Sequence, residues 1–237
     1  MIIGTWNVAY GRGPVVNRRR VKEMGIYQAD VWVLTETHTS LSPGDDYVAF
    51  PSCPRPQGPQ KVDEKSSWVT IWVHNKHHAE ERIGDQRERA TACMVEIDGH
   101  SVLVYGTVLP WYGDKESHGY EAELAAQQHD WTNLRGDDST LLCVAGDFNM
   151  TLGDCSYPYG KKTNRAALLK SMKTSDLEVL SNFERTKVSQ PDFGVIDHIA
   201  VSTSMANLIK GPRVIRKKND AGPLSDHTGV VVELDLG

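Results

Sequence analysis

The sequence predicts an α/β protein that mixes strand–helix units with antiparallel hairpins. Residues 31–35 form an almost unbroken apolar run of strand length, as expected for a strand that is buried on both faces. Asp98-Gly99 separates two segments of strand-like composition, and this dipeptide is the strongest short-range signal for a β-hairpin. No linker-like stretch divides the chain, so we expect residues 1–237 to form a single domain with a large core.

The amino-terminal part of the chain begins with a strand followed by a helix. Residues 2–8 have strand periodicity, and Pro14 suits the first turn of a helix that we predict to run to about residue 28. Residues 51–66 contain four prolines among polar residues. Because proline interrupts regular structure, we predict a surface loop there and regard it as a candidate rim for a substrate.

The remaining elements alternate between hairpin strands and helices. Residues 67–73 alternate with a period of two, which is typical of a strand. The later predicted elements are helices over residues 117–134 and 164–173, and strands over residues 90–97, 101–108, 140–145, 177–180, 195–201, 213–215 and 228–234.

Charge and cysteine usage exclude several classes of protein. The 31 acidic and 26 basic residues give a net charge of −5, which argues against a protein that grips nucleic acid over its whole surface. We find neither a signal-peptide pattern nor an apolar run of roughly 18 residues, so we expect no membrane span and a cytoplasmic protein. The four cysteines lack metal-binding spacing, which predicts reduced thiols.

Five short motifs place carboxylates, amides and a histidine beside apolar runs. In chain order they are T-W-N-V with Asn7, D-V-W-V-L-T-E with Glu36, G-D-F-N with Asp147 and Asn149, I-D-H-I with Asp197, and S-D-H with Asp226 and His227. Three of the motifs directly follow a predicted strand, and strand ends can converge at one edge of a sheet. Taken singly, Asp147 or Asn7 in such a motif fits an ordinary Asx-turn better than a functional site.

Together, in this order and at this spacing, the motifs resemble the endonuclease/exonuclease/phosphatase superfamily, which includes exonuclease III, abasic-site endonucleases and deoxyribonuclease I. The resemblance extends from residue 1 to about residue 235. It implies a four-layer α-β-β-α sandwich of two packed mixed sheets flanked by helices. It also implies a metal-dependent phosphoester hydrolase.

The resemblance assigns three residues to a metal ion. Glu36 is the main ligand, Asn7 supports it directly or through water, and Asp226 is a second carboxylate on the metal side. Mg²⁺ prefers oxygen ligands and takes few of them from the protein, which fits this sparse set, and Mn²⁺ accepts the same ligands.

The resemblance assigns four further residues to the reaction. Asp147 orients or deprotonates the attacking water, and Asn149 donates to a phosphate oxygen. His227 binds the phosphate and stabilises the charge of the transition state. Asp197 is the expected acceptor that holds the second nitrogen of that histidine.

The chain departs from the family pattern at Val108. Family members commonly place a histidine or tyrosine two residues before the proline of the segment T-V-L-P, residues 107–110, so one phosphate-polarising group is missing. Tyr112, Thr107 and Tyr105 are the candidates to replace it. Trp111 and Tyr112 are also candidates to stack on a base or sugar, with packing at the rim as the alternative.

The expected function is therefore Mg²⁺-dependent cleavage of a phosphodiester in nucleic acid, either DNA or RNA. One alternative is hydrolysis of a small-molecule or lipid-derived phosphate ester, which the acidic net charge favours. The other is a binding or scaffold protein that retains the fold with weakened catalysis, as Val108 would suggest. The oligomeric state stays open.

Overall fold

The computed structural model describes residues 1–56, 62–115, 117–137, 139–155, 158–186 and 194–237. These residues form strands β1 (Ile2–Asn7), β2 (Val31–His38), β3 (Tyr47–Pro51), β4 (Pro54–Pro56), β5 (Val62–His74), β6 (His78–Arg82), β7 (Ala90–Ile97), β8 (His100–Val108), β9 (Leu141–Asp147), β10 (Leu177–Val179), β11 (Asp197–Ser202), β12 (Ile209–Ile215), β13 (Lys218–Asn219), β14 (Gly222–Pro223) and β15 (Gly229–Leu234). The helices are α1 (Pro14–Gly25), α2 (Tyr120–Arg135), α3 (Lys162–Thr174), α4 (Phe183–Thr186) and α5 (Thr203–Ala206).

The strands form two large mixed sheets and one short ribbon. The first sheet has the order β12-β15-β1-β2-β5-β3, with β4 also paired to β5, and the second has the order β10-β11-β9-β8-β7-β6. Strands β13 and β14 form the ribbon. Each large sheet contains one parallel pair, β1 with β2 and β8 with β9, and the other neighbours are antiparallel.

Three layers of apolar contact hold the sheets and helices together. The largest lies between the sheets, where Val33 and Ile71 of the first sheet join Val104 and Cys143 of the second. Helix α1 covers the outer face of the first sheet, and α2 and α3 cover the outer face of the second. The order of layers is therefore α-β-β-α, and the predicted sandwich is confirmed.

The described parts of residues 51–66 correct the prediction of a surface loop, because most of them belong to strands. Strand β4 lies within this segment and β5 begins at Val62, while residues 57–61 lie outside the described part of the chain. Proline is tolerated in β4 because this short strand pairs with β5 alone, so a missing backbone N–H breaks no ladder on a second side. Strands β3 and β6 were not predicted, and both pair as edge strands of the sheets.

Other predicted elements are present with shifted ends. The first helix ends at Gly25, and the strand that begins at Val31 continues to His38, so Glu36 lies within the strand instead of beyond it. In the part of the chain that the structure describes, no helix is long and apolar enough to cross a membrane.

Candidate active site

The site forms where one end of the first sheet meets one end of the second. Asn7 is the last residue of β1 and Asp147 is the last residue of β9. The Asn7 amide Nδ2 donates to Asp147 Oδ2 over 3.2 Å, so a buried hydrogen bond joins the two sheets at this end. Asp197 begins β11 and pairs directly with Asp147 across the antiparallel ladder.

Asp147 is positioned by a tight approach of β8 to β9. A side chain on Gly146 would overlap the Thr107 carbonyl oxygen, so the glycine of G-D-F-N lets the two strands lie close together. Beyond the strand, Asp147 Oδ1 accepts the backbone N–H of Asn149 over 2.9 Å. This bond is an Asx-turn, so the turn that such a motif allows is present, and the catalytic roles of Asp147 and Asn149 stay predictions.

Burial is the main influence on the pKa of Asp147 and raises it, and the neighbouring carboxylate of Asp197 raises it further. The Asn149 amide Nδ2 donates to the Leu109 carbonyl oxygen over 2.8 Å, which leaves its second N–H for another acceptor. Asn149 has a φ of 47°, a left-handed conformation that asparagine tolerates better than most residues.

His227 is held by the carboxylate that the sequence predicted for it. Its Nδ1 lies 2.7 Å from Asp197 Oδ2 and 3.9 Å from Asp147 Oδ2. Burial lowers the pKa of His227, but the Asp197 and Asp147 carboxylates outweigh that effect and raise it. The imidazolium is therefore the favoured form of His227 at neutral pH.

The loop that carries His227 is fastened to the end of β1. Ser225 Oγ donates to the Asn7 carbonyl oxygen over 2.6 Å and accepts the His227 backbone N–H over 3.2 Å. The Trp6 indole N–H donates to the His227 carbonyl oxygen over 3.2 Å. The serine of S-D-H thus sets the position of the histidine relative to Asn7.

Glu36 faces the same end of the first sheet and is partly buried. It has a φ of 50°, which is unusual for a glutamate within a strand. Burial raises its pKa, and a hydrogen bond from Asn7 opposes that rise. The Tyr10 backbone N–H donates to the Glu36 carbonyl oxygen over 2.6 Å, so the segment after β1 lies against Glu36.

Asp226 lies apart from the other motif residues. Its side chain is 66% exposed and lies 3.4 Å from the Arg12 guanidinium. The structure therefore brings together the other six motif residues and places Asp226 at the rim of the site. Its role as a metal ligand stays a prediction.

Trp111 and Tyr112 differ in their surroundings. The Trp111 ring packs against the Trp68 ring at 5.9 Å between centroids and is partly buried. Tyr112 is 73% exposed, and the Lys161 ammonium lies 5.1 Å from the centre of its ring. Of the two, Tyr112 alone presents a free aromatic face.

The polar group missing at Val108 is not replaced by its neighbours on β8. Val108 is buried in the core between the sheets. Tyr105 and Thr107 point to the other face, where their hydroxyl groups donate to Asp130 and Gln127 of α2. Neither is placed to substitute, and Tyr112 remains the one candidate from the sequence.

Two arginines near the site were not identified from the sequence. Arg20 belongs to a run of three arginines on α1, a pattern that is typical of a solvated helix face, yet it is fully buried. It donates to the Leu224 and Tyr10 carbonyl oxygens over 2.8 Å each, and so ties the loop before His227 to the segment after Asn7. Arg55 lies near Glu36 and stacks over Trp68; only its place in the proline-rich segment marked it.

The residues present fit a hard divalent cation. Burial raises the pKa values of Glu36 and Asp147, and a cation beside these carboxylates would stabilise their charged forms. One group of donors, Asp147, Asp197 and His227, lies within 4.8 Å. The Nδ1 of His227 already contacts Asp197, so we favour the oxygen donors around Glu36 and Asn7.

Comparisons with known proteins support the fold. No protein-family model and no curated protein matches the chain. An AP endonuclease from Leishmania major is 14% identical, covers 100% of this chain and 88% of its own, and has a TM-score of 0.71. A 3′-5′ exonuclease from Neisseria meningitidis is 18% identical over 99% of this chain and 100% of its own, with a TM-score of 0.67.

A mannosyl-6-phosphatase from Bacteroides thetaiotaomicron is 15% identical, covers 100% of both chains and has a TM-score of 0.67. These matches confirm the fold that the sequence motifs implied. Because all three identities are low, the likeness shows the fold, and the reaction has to be argued from the site.

Proposed function

We propose that this protein is a divalent-metal-dependent phosphoester hydrolase that cleaves phosphodiesters in nucleic acid. The observation that carries the proposal is the buried Asp197–His227 pair, with its 2.7 Å contact, beside the carboxylates of Asp147 and Glu36 at one end of both sheets. A cationic donor and carboxylates at one place are what hydrolysis of an anionic ester needs.

The charge of each site residue indicates its role in the reaction. His227, held in the protonated state by Asp197, binds a non-bridging phosphate oxygen and stabilises negative charge as it develops. Asp147 accepts a proton from the attacking water, because its raised pKa makes it a better base than an exposed aspartate. Asn149 donates its second N–H to the phosphate. A Mg²⁺ or Mn²⁺ ion held by Glu36 and Asn7 would supply Lewis-acid neutralisation of phosphate charge.

The exposed Tyr112–Lys161 pair supports nucleic acid as the substrate. An open aromatic face stacks on any base, and an ammonium group beside it attracts the backbone phosphate. Two of the similar structures are an AP endonuclease and an exonuclease, which agrees with this choice. The net charge of −5 means that contact with a polymer would have to be local to the cleft.

The test is hydrolysis of a panel of esters with Mg²⁺, Mn²⁺ or EDTA. The panel contains abasic-site duplex DNA, single-stranded DNA, RNA, bis-p-nitrophenyl phosphate and p-nitrophenyl phosphate. His227→Ala should abolish cleavage, and His78→Ala, an exposed histidine of β6, should leave it unchanged. Cleavage of the small esters alone would replace the nuclease proposal with a phosphatase. If the protein cleaves none of these esters, the result would support the alternative of a binding or scaffold protein.

Three further features of the chain belong to this proposal. Strands β1 and β15, from opposite ends of the sequence, are neighbours in one sheet, which supports one domain over residues 1–237. The cysteines are all free thiols, which supports the reducing cytoplasm as the compartment. The expected partners are DNA or RNA, with a small phosphate ester as the alternative.

A further inference from the structure

Beside Glu36 lies a stack of aromatic rings and guanidinium groups that the proposed mechanism does not use. The Arg55 guanidinium carbon lies 4.1 Å from the centre of the Trp68 ring and 4.7 Å from the centre of the Tyr10 ring. Arg89 covers Trp68 at 4.8 Å and Trp111 at 5.5 Å. Two guanidinium groups are thus held against aromatic rings next to a site that would bind an anionic phosphate ester.

Arg55 lies near Glu36 in the folded chain. Ser67 of β5 pairs with Pro54 on one side and with Thr37 on the other. The Arg55 guanidinium turns back over the ring of Trp68, the next residue of β5, and its charge lowers the pKa of Glu36, so the two side chains lie near each other. Tyr10, which packs against Arg55, also donates its backbone N–H to the Glu36 carbonyl oxygen. Arg55 therefore lies at the metal side of the proposed site.

The two arginines differ in how their charges are compensated. The Arg89 guanidinium lies 2.8 Å from the buried carboxylate of Asp114, so its charge is neutralised within the fold. Within the described residues, Arg55 forms no ion pair with a carboxylate, and its buried Nε has no hydrogen-bond partner. Arg55 keeps its charge and donors available for an anion.

We propose that Arg55 binds the phosphate of the substrate and supplies, beside Glu36, the donor that Val108 cannot provide. This inference rests on the proposed function. The Trp68 and Tyr10 rings hold the Arg55 guanidinium in one plane. A guanidinium held in this way can donate two parallel hydrogen bonds to a phosphate. Stacking also lowers the entropy lost on binding, because the side chain is already ordered. The terminal Nη groups are the donors.

The test compares Arg55→Gln and Arg55→Lys with a matched control. Arg213 stacks over Tyr27 at 5.0 Å on β12, at the opposite edge of the same sheet, so Arg213→Gln removes a similar contact away from the site. With bis-p-nitrophenyl phosphate and Mg²⁺, Arg55→Gln should lower kcat/KM on the order of 100-fold. Arg55→Lys should recover part of that loss, and Arg213→Gln should match the wild type.

A binding measurement separates a phosphate contact from a structural role. Calorimetric titration with inorganic phosphate in the presence of Mg²⁺ should show affinity about tenfold weaker for Arg55→Gln than for wild type or Arg213→Gln. Equal phosphate affinity, with unchanged kcat/KM, would overturn the role of Arg55 while the proposed function stands. If the wild type hydrolyses no ester, the proposed function fails, and the titration still decides whether Arg55 binds phosphate. Should Arg55→Gln not fold, Arg55→Lys alone must show weakened binding.

Discussion

Asp197 acts on His227 through charge as well as through position. Its carboxylate raises the pKa of His227 against the opposing effect of burial, so the imidazole stays protonated to a higher pH than it otherwise would. Asp197→Asn keeps a hydrogen-bond acceptor of the same shape but removes the charge. We expect kcat/KM to fall on the order of 100-fold and its decline at high pH to begin at a lower pH.

This prediction is checked by the pH dependence of kcat/KM for the two proteins, and by nuclear magnetic resonance titration of the His227 ring. A profile of unchanged shape in Asp197→Asn would mean that the carboxylate only orients the ring. Asp235→Asn is the comparison, because this exposed carboxylate contacts Lys210 beyond the end of β15 that is remote from His227.

Arg20 shows that one buried side chain can set the geometry of a site without touching it. Its guanidinium links the Leu224 and Tyr10 carbonyl oxygens and also donates to Asn17 Oδ1 over 3.2 Å. Lysine carries the same charge but lacks the planar guanidinium group, so one lysine side chain cannot donate to all three of these oxygens in the same geometry. We expect Arg20→Lys to lower kcat roughly 10- to 100-fold, because the His227 loop shifts relative to Asn7.

The matched control for this prediction is Arg18→Lys, two positions earlier on α1, where the side chain is exposed. Steady-state kinetics and thermal unfolding are measured for both variants. Equal kcat in Arg20→Lys and wild type would show that the loop holds its position without the arginine.

At the scale of the secondary-structure elements, Asp30 connects three of them at the end of the first sheet remote from the site. It accepts the Ile2 backbone N–H over 2.6 Å and contacts Lys76 Nζ at 2.6 Å and His77 Nε2 at 2.9 Å. Burial raises its pKa, but these partners together outweigh burial and lower it. The carboxylate is therefore more stable as an anion in the folded protein than in the unfolded chain.

The pKa of Asp30 is lower in the folded protein than the value of about 3.9 in the unfolded chain. The ionised carboxylate therefore stabilises the fold at pH values above the unfolded pKa, and this stabilisation is lost as the pH falls through the folded pKa. We expect Asp30→Asn to lower the free energy of unfolding by ~1–3 kcal/mol at pH 7, with a smaller difference near pH 3. Urea unfolding at both pH values measures this. Asp45→Asn, at an exposed position, is the control, and a pH-independent difference would contradict the assignment to charge.

The elements also show which parts of the site a sequence can reveal. Asn7 and Asp147 could be proposed from the sequence because each stands at the end of an apolar strand within a short motif. Arg55 was not, because only the folded structure places it over the Trp68 ring and near Glu36. Arg20 was not, because the triple-arginine run reads as a solvated helix face until tertiary contacts bury one member.

At the scale of the whole molecule, the site depends on how closely the two sheets pack. Gly106 of β8 faces the first sheet, where an added Cβ would lie 2.7 Å from Val69 Cγ1 and 3.1 Å from Val33 Cγ1. Both valines are fully buried between the sheets, so they have little room to move. The missing side chain lets the sheets approach each other two residues before Val108.

Gly106→Ala should therefore destabilise the whole fold by ~1–3 kcal/mol, since overpacking forces the sheets apart or shifts side chains from their preferred rotamers. Gly25→Ala is the matched control, because it makes the same substitution at the end of α1, where nothing lies within 4 Å of the new methyl group. Its midpoint of urea unfolding should equal or exceed that of the wild type. If separation of the sheets also moves Asn7 from Asp147, Gly106→Ala will lose kcat at temperatures where it remains folded. A variant with the wild-type midpoint and wild-type kcat would show that the core absorbs a methyl group and that the site tolerates wider spacing between the sheets.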